Sequence, residues 1–369
     1  MFIKILITVA AVGGINGILA VLLVIAERFF TDYGECLITV NGEKSLRVQG
    51  GSSLLSSLKH EKIYLPSACG GRGTCAYCKC KVTAGGGTVL PTEESLLTTE
   101  EIRDHVRLSC QVKVKRDIEI QIPEALFRIK EFEAEVTLIK DLTYDIKLVR
   151  LRLMEPDNIQ FTPGQYVQLE NTPYEKVKER VSRAYSIASP GSETESIDLM
   201  IRLVPEGIVT TWVHHILEEG ERVKFTGPMG DFCLHEGTGE IVMVAGGSGM
   251  APMVSLLSEL ARSKSHRKIT FFFGAVSGKD LFYTEEMKHF EEVIPHFAFV
   301  PALSQPDPGD EWKGERGLIT VSLENHLKKS DNSESQAYLC GSPGMIKACI
   351  GVLKKHGLTD ERIFFDPFA

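Results

Sequence analysis

Three cysteines stand close together in Cys69-Gly-Gly-Arg-Gly-Thr-Cys-Ala-Tyr-Cys78, and a fourth follows at Cys110. Thiolates are soft ligands, and four of them are what a [2Fe–2S] cluster requires. Glycines 70, 71 and 73 carry no Cβ, so their amides can approach inorganic sulfide in backbone conformations closed to other residues. The spacing is C-x5-C-x2-C, one residue longer than the C-x4-C-x2-C of plant-type clusters. Structural zinc commonly uses two short ligand pairs, and only one exists here. Buried free thiols are the other competing reading. The cluster reading takes Cys69, Cys75, Cys78 and Cys110 as metal ligands.

Two further stretches have the composition of nucleotide sites. Gly246-Gly-Ser-Gly-Met-Ala-Pro252 follows an apolar run, Ile241–Ala245, and opens a helical pattern reaching about Ser263. It is not G-x-G-x-x-G, but bare backbone at a helix N-terminus suits a pyrophosphate in the same way. Cys340-Gly-Ser-Pro-Gly-Met345 repeats the arrangement after Gln336–Leu339. There Cys340 can be a small buried hydrophobe or, at the C-terminal end of a strand where α/β sheets bind ligands, a functional residue. Arg183-Ala-Tyr-Ser186 lies between Pro163-Gly-Gln-Tyr166 and Gly207-Ile-Val-Thr210.

The elements needed to hold these residues divide the 369-residue chain into an anchor (1–33), a cluster domain (34–128), a strand-rich domain (129–234) and an α/β domain (235–369). Ile5–Ala26 is uncharged and spans about 33 Å as a helix, enough to cross a bilayer core. A signal peptide would have a shorter apolar region and a small-residue cleavage site, and its removal would export domains that need reduced cofactors. Gly13 and Gly17 form a GxxxG, Ala10 and Gly14 repeat the small-residue spacing, and Asn16 is polar at mid-depth, a composition suited to helix–helix contact. Asn41-Gly42 centres a hairpin within Glu35–Gly50, and Ser52–Lys62 has a helical apolar face. Strands are expected at Lys79–Thr83, Arg107–Val114 and Ile118–Ile122, with Cys80 and Cys349 packed as small core residues. Thr137–Leu153 reads as a hairpin. The α/β rhythm continues with strands at Lys268–Gly274 and His296–Ala302. The net charge of -8, without a basic aromatic stripe, argues against nucleic acid. Nine cysteines without framework spacing fit a reducing compartment.

The cysteine segment resembles a plant-type ferredoxin domain, whose four ligand positions coincide with Cys69, Cys75, Cys78 and Cys110. The Arg-Ala-Tyr-Ser ordering resembles the flavin barrel of the ferredoxin–NAD(P)+ reductase superfamily. That resemblance implies FAD, with Arg183 as a bidentate phosphate clamp and Ala184 in the same strand. It places Tyr185 on the isoalloxazine and Ser186 near the flavin N5, and gives the pyrophosphate to the helix opened by Gly207, Val209 and Thr210. It implies NADH held by Gly246, Gly247, Gly249, Met250 and Gly341, with Asp280 at the ribose and Cys340 at the nicotinamide. Phe368 would shield the flavin face, leaving Phe364 and Phe365 to the core. Val276 and a single Lys279 after the second α/β strand suit NADH rather than NADPH.

The whole order of anchor, ferredoxin, barrel and NAD domain, with Arg-Leu-Ser-Cys-Gln-Val-Lys-Val and the closing Asp-Pro-Phe-Ala, resembles the F subunits of sodium-translocating NADH:quinone oxidoreductases. One departure is a short connection between Tyr166 and Arg183, where those subunits carry a longer insertion. The resemblance implies an inner-membrane, single-pass protein with its catalytic domains on the cytoplasmic side. It would pass hydride from NADH to FAD, and single electrons through [2Fe–2S] to membrane subunits and finally quinone. Two other readings are a tethered reductase feeding an oxygenase or another acceptor, and an anchored ferredoxin carrier with a silent reductase half.

Overall fold

The structure is a computed structural model that describes residues 13–14, 16–21, 33–67, 69–175, 177–307, 309, 312–329 and 331–368, with the side chain of Ala125 outside the description. The expected span Ile5–Ala26 lies largely outside the described residues. Residues 13–14 and 16–21 are helical and exposed. Among the described residues no helix is long and apolar enough to cross a membrane. The chain divides into two compact units, one running to Leu65 and resuming over Gly71–Arg128, the other comprising Pro66–Gly70 and Ile129–Ala369.

In the first unit, strands β1 (Glu35–Val40), β2 (Lys44–Gln49), β3 (Lys79–Ala84), β4 (Val106–Leu108) and β5 (Ile118–Gln121) form one sheet in the order β2-β1-β5-β3-β4. Asn41 and Gly42 turn the β1–β2 hairpin with φ of 55° and 74°, the left-handed pair that matches strand twist. Asn41 also bonds both backbone groups of Ile122, tying the turn to the end of β5. The helix Leu54–His60, capped by the Ser53 hydroxyl, buries Leu54 and Leu58 completely against Ile38, Val40, Ile118 and Ile120. Each such leucine contributes about 1.5–3 kcal/mol of burial. Cys80 packs in this core as expected.

The strand expected over Arg107–Val114 is shorter in the structure. The β4 ladder stops at Leu108, and Cys110 sits in the following turn, where Gln111 donates to the Leu108 carbonyl. The reason is a competing partner: Leu54 donates to the Val112 carbonyl and Val114 to the Ser52 carbonyl, so residues 112–114 pair with the entry to the helix.

In the second unit, β6 (Lys130–Asp141), β7 (Ile146–Glu155), β8 (Tyr166–Glu170), β9 (Ser182–Ser186), β10 (Ser196–Arg202) and β11 (Arg222–Met229) form an antiparallel sheet in the order β10-β7-β6-β11-β8-β9. A bridge between Ile187 and Leu199 joins its two ends into a barrel. Phe132, Phe225 and Trp212 fill it, the two phenylalanines stacked 5.0 Å apart.

The remaining strands, β12 (Ile241–Gly246), β13 (Ile269–Ala275), β14 (Phe297–Leu303), β15 (Glu315–Arg316), β16 (Gln336–Gly341) and β17 (Ile363–Pro367), form a wholly parallel sheet, β15-β14-β13-β12-β16-β17. It is covered by helices including Met250–Arg262 and Pro343–Lys355, which explains its continuous apolar strands. Strand order reverses between β12 and β16, the place where open α/β sheets bind ligands. Barrel and sheet share apolar core: Ile146, Leu148, Ala188 and Met200 pack with Met243, Met250 and Phe271. Cys349 is buried core, as the sequence suggests. Phe364 stacks on His235 at 3.8 Å. Phe365 corrects the expectation of a core residue: it is 50 % exposed, because alternate residues of β17, at the sheet edge, face solvent.

Candidate functional site

The cysteine loop has the backbone its glycines permit. Gly70, Gly71, Gly73 and Ala76 all have φ between 58° and 85°, a curvature that turns amides toward the enclosed side. A Cβ at Gly71 would lie 3.9 Å from that of Cys110, and one at Gly73 would overlap the Gln111 amide at 2.5 Å. Cys69 and Cys78 are buried, while Cys75 and Cys110 are half-buried. The Cys78 and Cys110 thiols share a hydrogen bond, which together with burial holds the Cys78 thiol far above its ordinary pKa. Among the described residues no three ligating side chains converge on one ion. A binuclear cluster takes its thiolates in pairs, two for each iron. The thiols and the glycine cradle fit that group.

A buried ion pair ties β4, just before Cys110, to the turn of Gly86, Gly87 and Leu90, and the sequence alone does not reveal it. Glu93 is fully buried and Arg107 is 4 % exposed. Arg107 donates from Nη2 and Nε to the carboxylate at 2.6 and 3.0 Å, and from Nη1 to the carbonyls of Gly86 and Gly87. The carboxylate also accepts from the amides of Leu108 and Leu90. Burial pushes the Glu93 carboxyl up, but Arg107 and the two amides outweigh it and leave it below its usual value. Next along the same helix, the Thr92 hydroxyl donates to Gln111, whose amide donates to the Cys110 sulfur at 3.6 Å. The available signals were Arg107 three residues before Cys110 and Glu93 three residues after Leu90, at a helix start.

The flavin candidates lie on β9. Ser186 pairs with Tyr166 and Ala184 with Gln168 across the β8–β9 ladder. The buried Tyr185 hydroxyl, Ser186 hydroxyl and Gln168 amide nitrogen have no hydrogen-bond partner within the protein. Ser186 and Gln168 share one face of the ladder, while Tyr185, opposite Val167, lies on the other against the barrel core. Buried polar groups are nearly always satisfied, so Ser186 and Gln168 mark a place for a polar ligand on their face. Burial raises the Tyr185 phenol well beyond its normal range, and it stays protonated. Arg183 donates to the Ser182 carbonyl. Gly207 caps the helix Ile208–His215. Val209 is core and the Thr210 hydroxyl donates to the Val204 and Gly207 carbonyls, so these two residues offer backbone amides rather than side chains.

The two glycine turns meet at the sheet's switch point. A Cβ on Gly249 would come within 2.4 Å of the Cys340 carbonyl, and one on Gly341, at φ 143°, within 3.3 Å of the Gly246 carbonyl. Cys340 is fully buried. Burial first, then Asp366, pushes its thiol far up, so it is a neutral S–H and no nucleophile. Met250 is core. Phe368 donates its amide to the Gly341 carbonyl at 2.9 Å, fixing the C-terminal aromatic beside this turn. Asp280 already uses its carboxylate: one oxygen accepts from the Ser277 amide and hydroxyl, the other from Tyr144 at 3.1 Å. Lys279 lies 3.7 Å from Asp307 and Val276 is exposed.

Residues 38–115 match the 2Fe-2S iron-sulfur cluster binding domain, 133–233 the oxidoreductase FAD-binding domain and 243–350 the oxidoreductase NAD-binding domain. The F subunit of the Na(+)-translocating NADH-quinone reductase of Pseudomonas aeruginosa is 38 % identical, over 96 % of this chain and 95 % of that protein. The chain belongs to the family of these F subunits. The corresponding protein of Psychrobacter cryohalolentis is 37 % identical over 97 % of this chain and 98 % of its own length. Among solved structures, Amycolatopsis cytochrome P450 reductase GcoB is 28 % identical with a TM-score of 0.73, covering 90 % of this chain and 98 % of that one. A ferredoxin reductase in carbazole 1,9a-dioxygenase, 24 % identical with a TM-score of 0.70 over 91 % of this chain and 99 % of its own, shares the fold. The three matched domains give [2Fe–2S], FAD and NADH as the cofactors of this chain.

Proposed function

We propose that this chain is the electron-input subunit of a sodium-translocating NADH:quinone oxidoreductase. The observation that carries the reading is the glycine-cradled cysteine loop together with the orphaned Ser186 and Gln168 groups on one face of the β8–β9 ladder and the paired glycine turns, in a chain matched over nearly its full length to the F subunits. When bound, FAD accepts two electrons as hydride from NADH and releases them singly to [2Fe–2S]. Arg183 would hold a flavin phosphate through its planar fork. Tyr185 would pack on the ring system, and Ser186 and Gln168 would satisfy its polar edge. The amides opening Ile208–His215 would take its pyrophosphate. Gly246, Gly247 and Gly249 leave room for the dinucleotide backbone, Cys340 offers a neutral S–H at the nicotinamide end, and Phe368 excludes water from the flavin face. Asp280 would reach the ribose with the carboxylate edge that Tyr144 occupies. Cys69, Cys75, Cys78 and Cys110 would bind the cluster.

Residues 1–33 would anchor the protein in the bacterial inner membrane, leaving 34–128, 129–234 and 235–369 on the cytoplasmic side beside other membrane subunits, with quinone as final acceptor. The test is to compare the full chain with a form lacking the residues before Phe30. Both should bleach flavin and reduce ferricyanide with NADH, and the truncated form should lose quinone reduction in membranes. Undiminished quinone reduction by the truncated form would remove the anchor from the reading. The similarity to cytochrome P450 reductase GcoB favours a second reading, a reductase feeding an oxygenase. Co-purifying membrane subunits would exclude it.

A further inference from the structure

The glutamine that follows the fourth cysteine is held at both ends of its side chain. Gln111 shares a turn with Cys110, closed by the Gln111 backbone amide donating to the Leu108 carbonyl at 2.8 Å. Its side-chain oxygen accepts from the Thr92 hydroxyl at 3.1 Å, and its side-chain nitrogen lies 3.6 Å from the Cys110 sulfur. A hydroxyl can serve either end of an amide, but a thiolate can only accept, so the nitrogen must face the sulfur. That nitrogen also lies over Gly73, where a Cβ would stand 2.5 Å from it. Thr92 is fixed in turn by its neighbours. It is the second residue of the helix Pro91–Glu94, between a proline and Glu93, whose fully buried carboxylate is gripped by Arg107 and the Leu108 amide.

The arrangement is more than the stability of a turn needs. The Thr92–Gln111 bond is exposed, and a neutral amide beside a neutral thiol is a weak pair. The same contact becomes charge-assisted when the sulfur is a thiolate holding iron. Cluster potentials depend on hydrogen bonds to the sulfurs, because each donor offsets part of the charge that an added electron brings. We propose that Gln111 donates to the Cys110 thiolate of the cluster and raises its reduction potential, with Thr92 as the positioning residue that orients the amide. The inference rests on the proposed function, in which Cys110 binds [2Fe–2S], and adds which side chains make that cluster a ready acceptor of single electrons.

The experiment is a redox titration of the full flavin-loaded chain, with the cluster followed by EPR and the flavin by its absorbance. Gln111→Leu is close in volume and removes the donor. At a fixed potential its ratio of reduced to oxidised cluster should fall about tenfold, a midpoint about 59 mV lower for one electron. Thr92→Val keeps Gln111 but frees its amide, and should lower the ratio about threefold, or about 28 mV. Iron and sulfide per chain, and the flavin midpoint, should stay at their wild-type values. In resonance Raman spectra of Gln111→Leu the iron–thiolate stretching bands should move to higher frequency, because the sulfur no longer shares its electrons with a donor. A ratio within about twofold of wild type in Gln111→Leu would overturn the inference. So would a lower midpoint with unmoved stretching bands, which would assign Gln111 to packing or water exclusion. If Gln111→Leu does not retain its cluster, Thr92→Val decides by the same titration, and a wild-type midpoint there overturns the inference. Wild-type protein with no [2Fe–2S] signal on reduction would instead sink the cluster reading itself, and the inference with it.

Discussion

Two enclosed carboxylates, one in each unit, stand differently toward the candidate sites. In the first, the enclosed carboxylate Glu93 accepts from the Leu108 amide, two residues before Cys110. In the second, Glu240, its side chain 8 % exposed, takes hydrogen bonds from His326 at 2.7 Å and Thr270 at 2.6 Å. Glu240 precedes β12, while the glycine turn follows it, so about 20 Å of strand separates them at roughly 3.3 Å per residue. The difference follows from what holds each site. The β4 ladder stops at Leu108, just before Cys110, and there a buried ion pair holds the chain. The glycine turns extend from central parallel strands whose ladders and apolar faces position them already.

The sharpest way to break this comparison is at the ligands. Cys110→Ala should abolish the [2Fe–2S] EPR signal of the reduced protein while NADH still bleaches the flavin, whereas Cys80→Ala should keep the signal. A normal signal in Cys110→Ala would refute the ligand set.

The buried ion pair comes next. Glu93→Gln leaves the Arg107 guanidinium buried without its counter-charge and should destabilise the first unit by about 3–5 kcal/mol. Glu240→Gln, whose partner Lys268 is 55 % exposed, should cost only about 1–2 kcal/mol. Urea unfolding followed by the visible dichroism of the cluster for the first unit and by flavin fluorescence for the second would compare them, and equal costs would erase the contrast. The acid limb sharpens it. Burial raises Glu240, but His326, Thr270 and Lys268 prevail, so it too lies below its normal value. For such depressed carboxyls the stabilisation is fully present above the unfolded value of about 4.3. It is lost as pH falls through the folded value. Stability should therefore decline below about pH 4.3, and each Gln variant should flatten that decline.

A smaller effect concerns cofactor choice. With Lys279 near Asp307 and Val276 apolar, NADH should exceed NADPH by at least about tenfold in kcat/KM, or about 1.4 kcal/mol. Equal rates with NADPH at one ionic strength would show that another cation serves the 2′-phosphate. The smallest effect separates packed from open glycines. Gly351 lies within the helix Pro343–Lys355 with nothing within 4 Å of its would-be Cβ. Gly351→Ala should stabilise by about 0.5–1 kcal/mol, measured as a rise in unfolding midpoint.

Much of this is legible in the sequence because it is local. The Asn41-Gly42 turn, the helix after Gly246–Gly249 and the helix opened by Gly207 each follow from a few adjacent residues and the backbone they permit. The parts that stay hidden depend on distant partners. Cys110 leaves its strand because Val112 and Val114 find Leu54 and Ser52. Glu93 and Arg107 meet across 14 positions, and Thr92 and Gln111 across 19. Nothing periodic announces such pairs. Phe365 faces solvent against expectation because an apolar tail does not declare which of its alternating residues point outward.

The connection between β8 and β9 has a consequence for how the protein can vary. Asn171 is fully buried and closes the base of this segment: it accepts from the Val181 amide at 2.7 Å and donates to the carbonyls of Thr172 and Glu179. Beyond that clasp, Tyr174 and Val177 pair only with each other through backbone. Tyr174 itself is tied in by its side chain, which packs on the barrel core and donates its hydroxyl to the Ile208 carbonyl at 2.8 Å, at the start of the helix opened by Gly207. A tag or reporter spliced in after Glu175 keeps both the Asn171 clasp and this tie, and with them the register of Arg183, Tyr185 and Ser186.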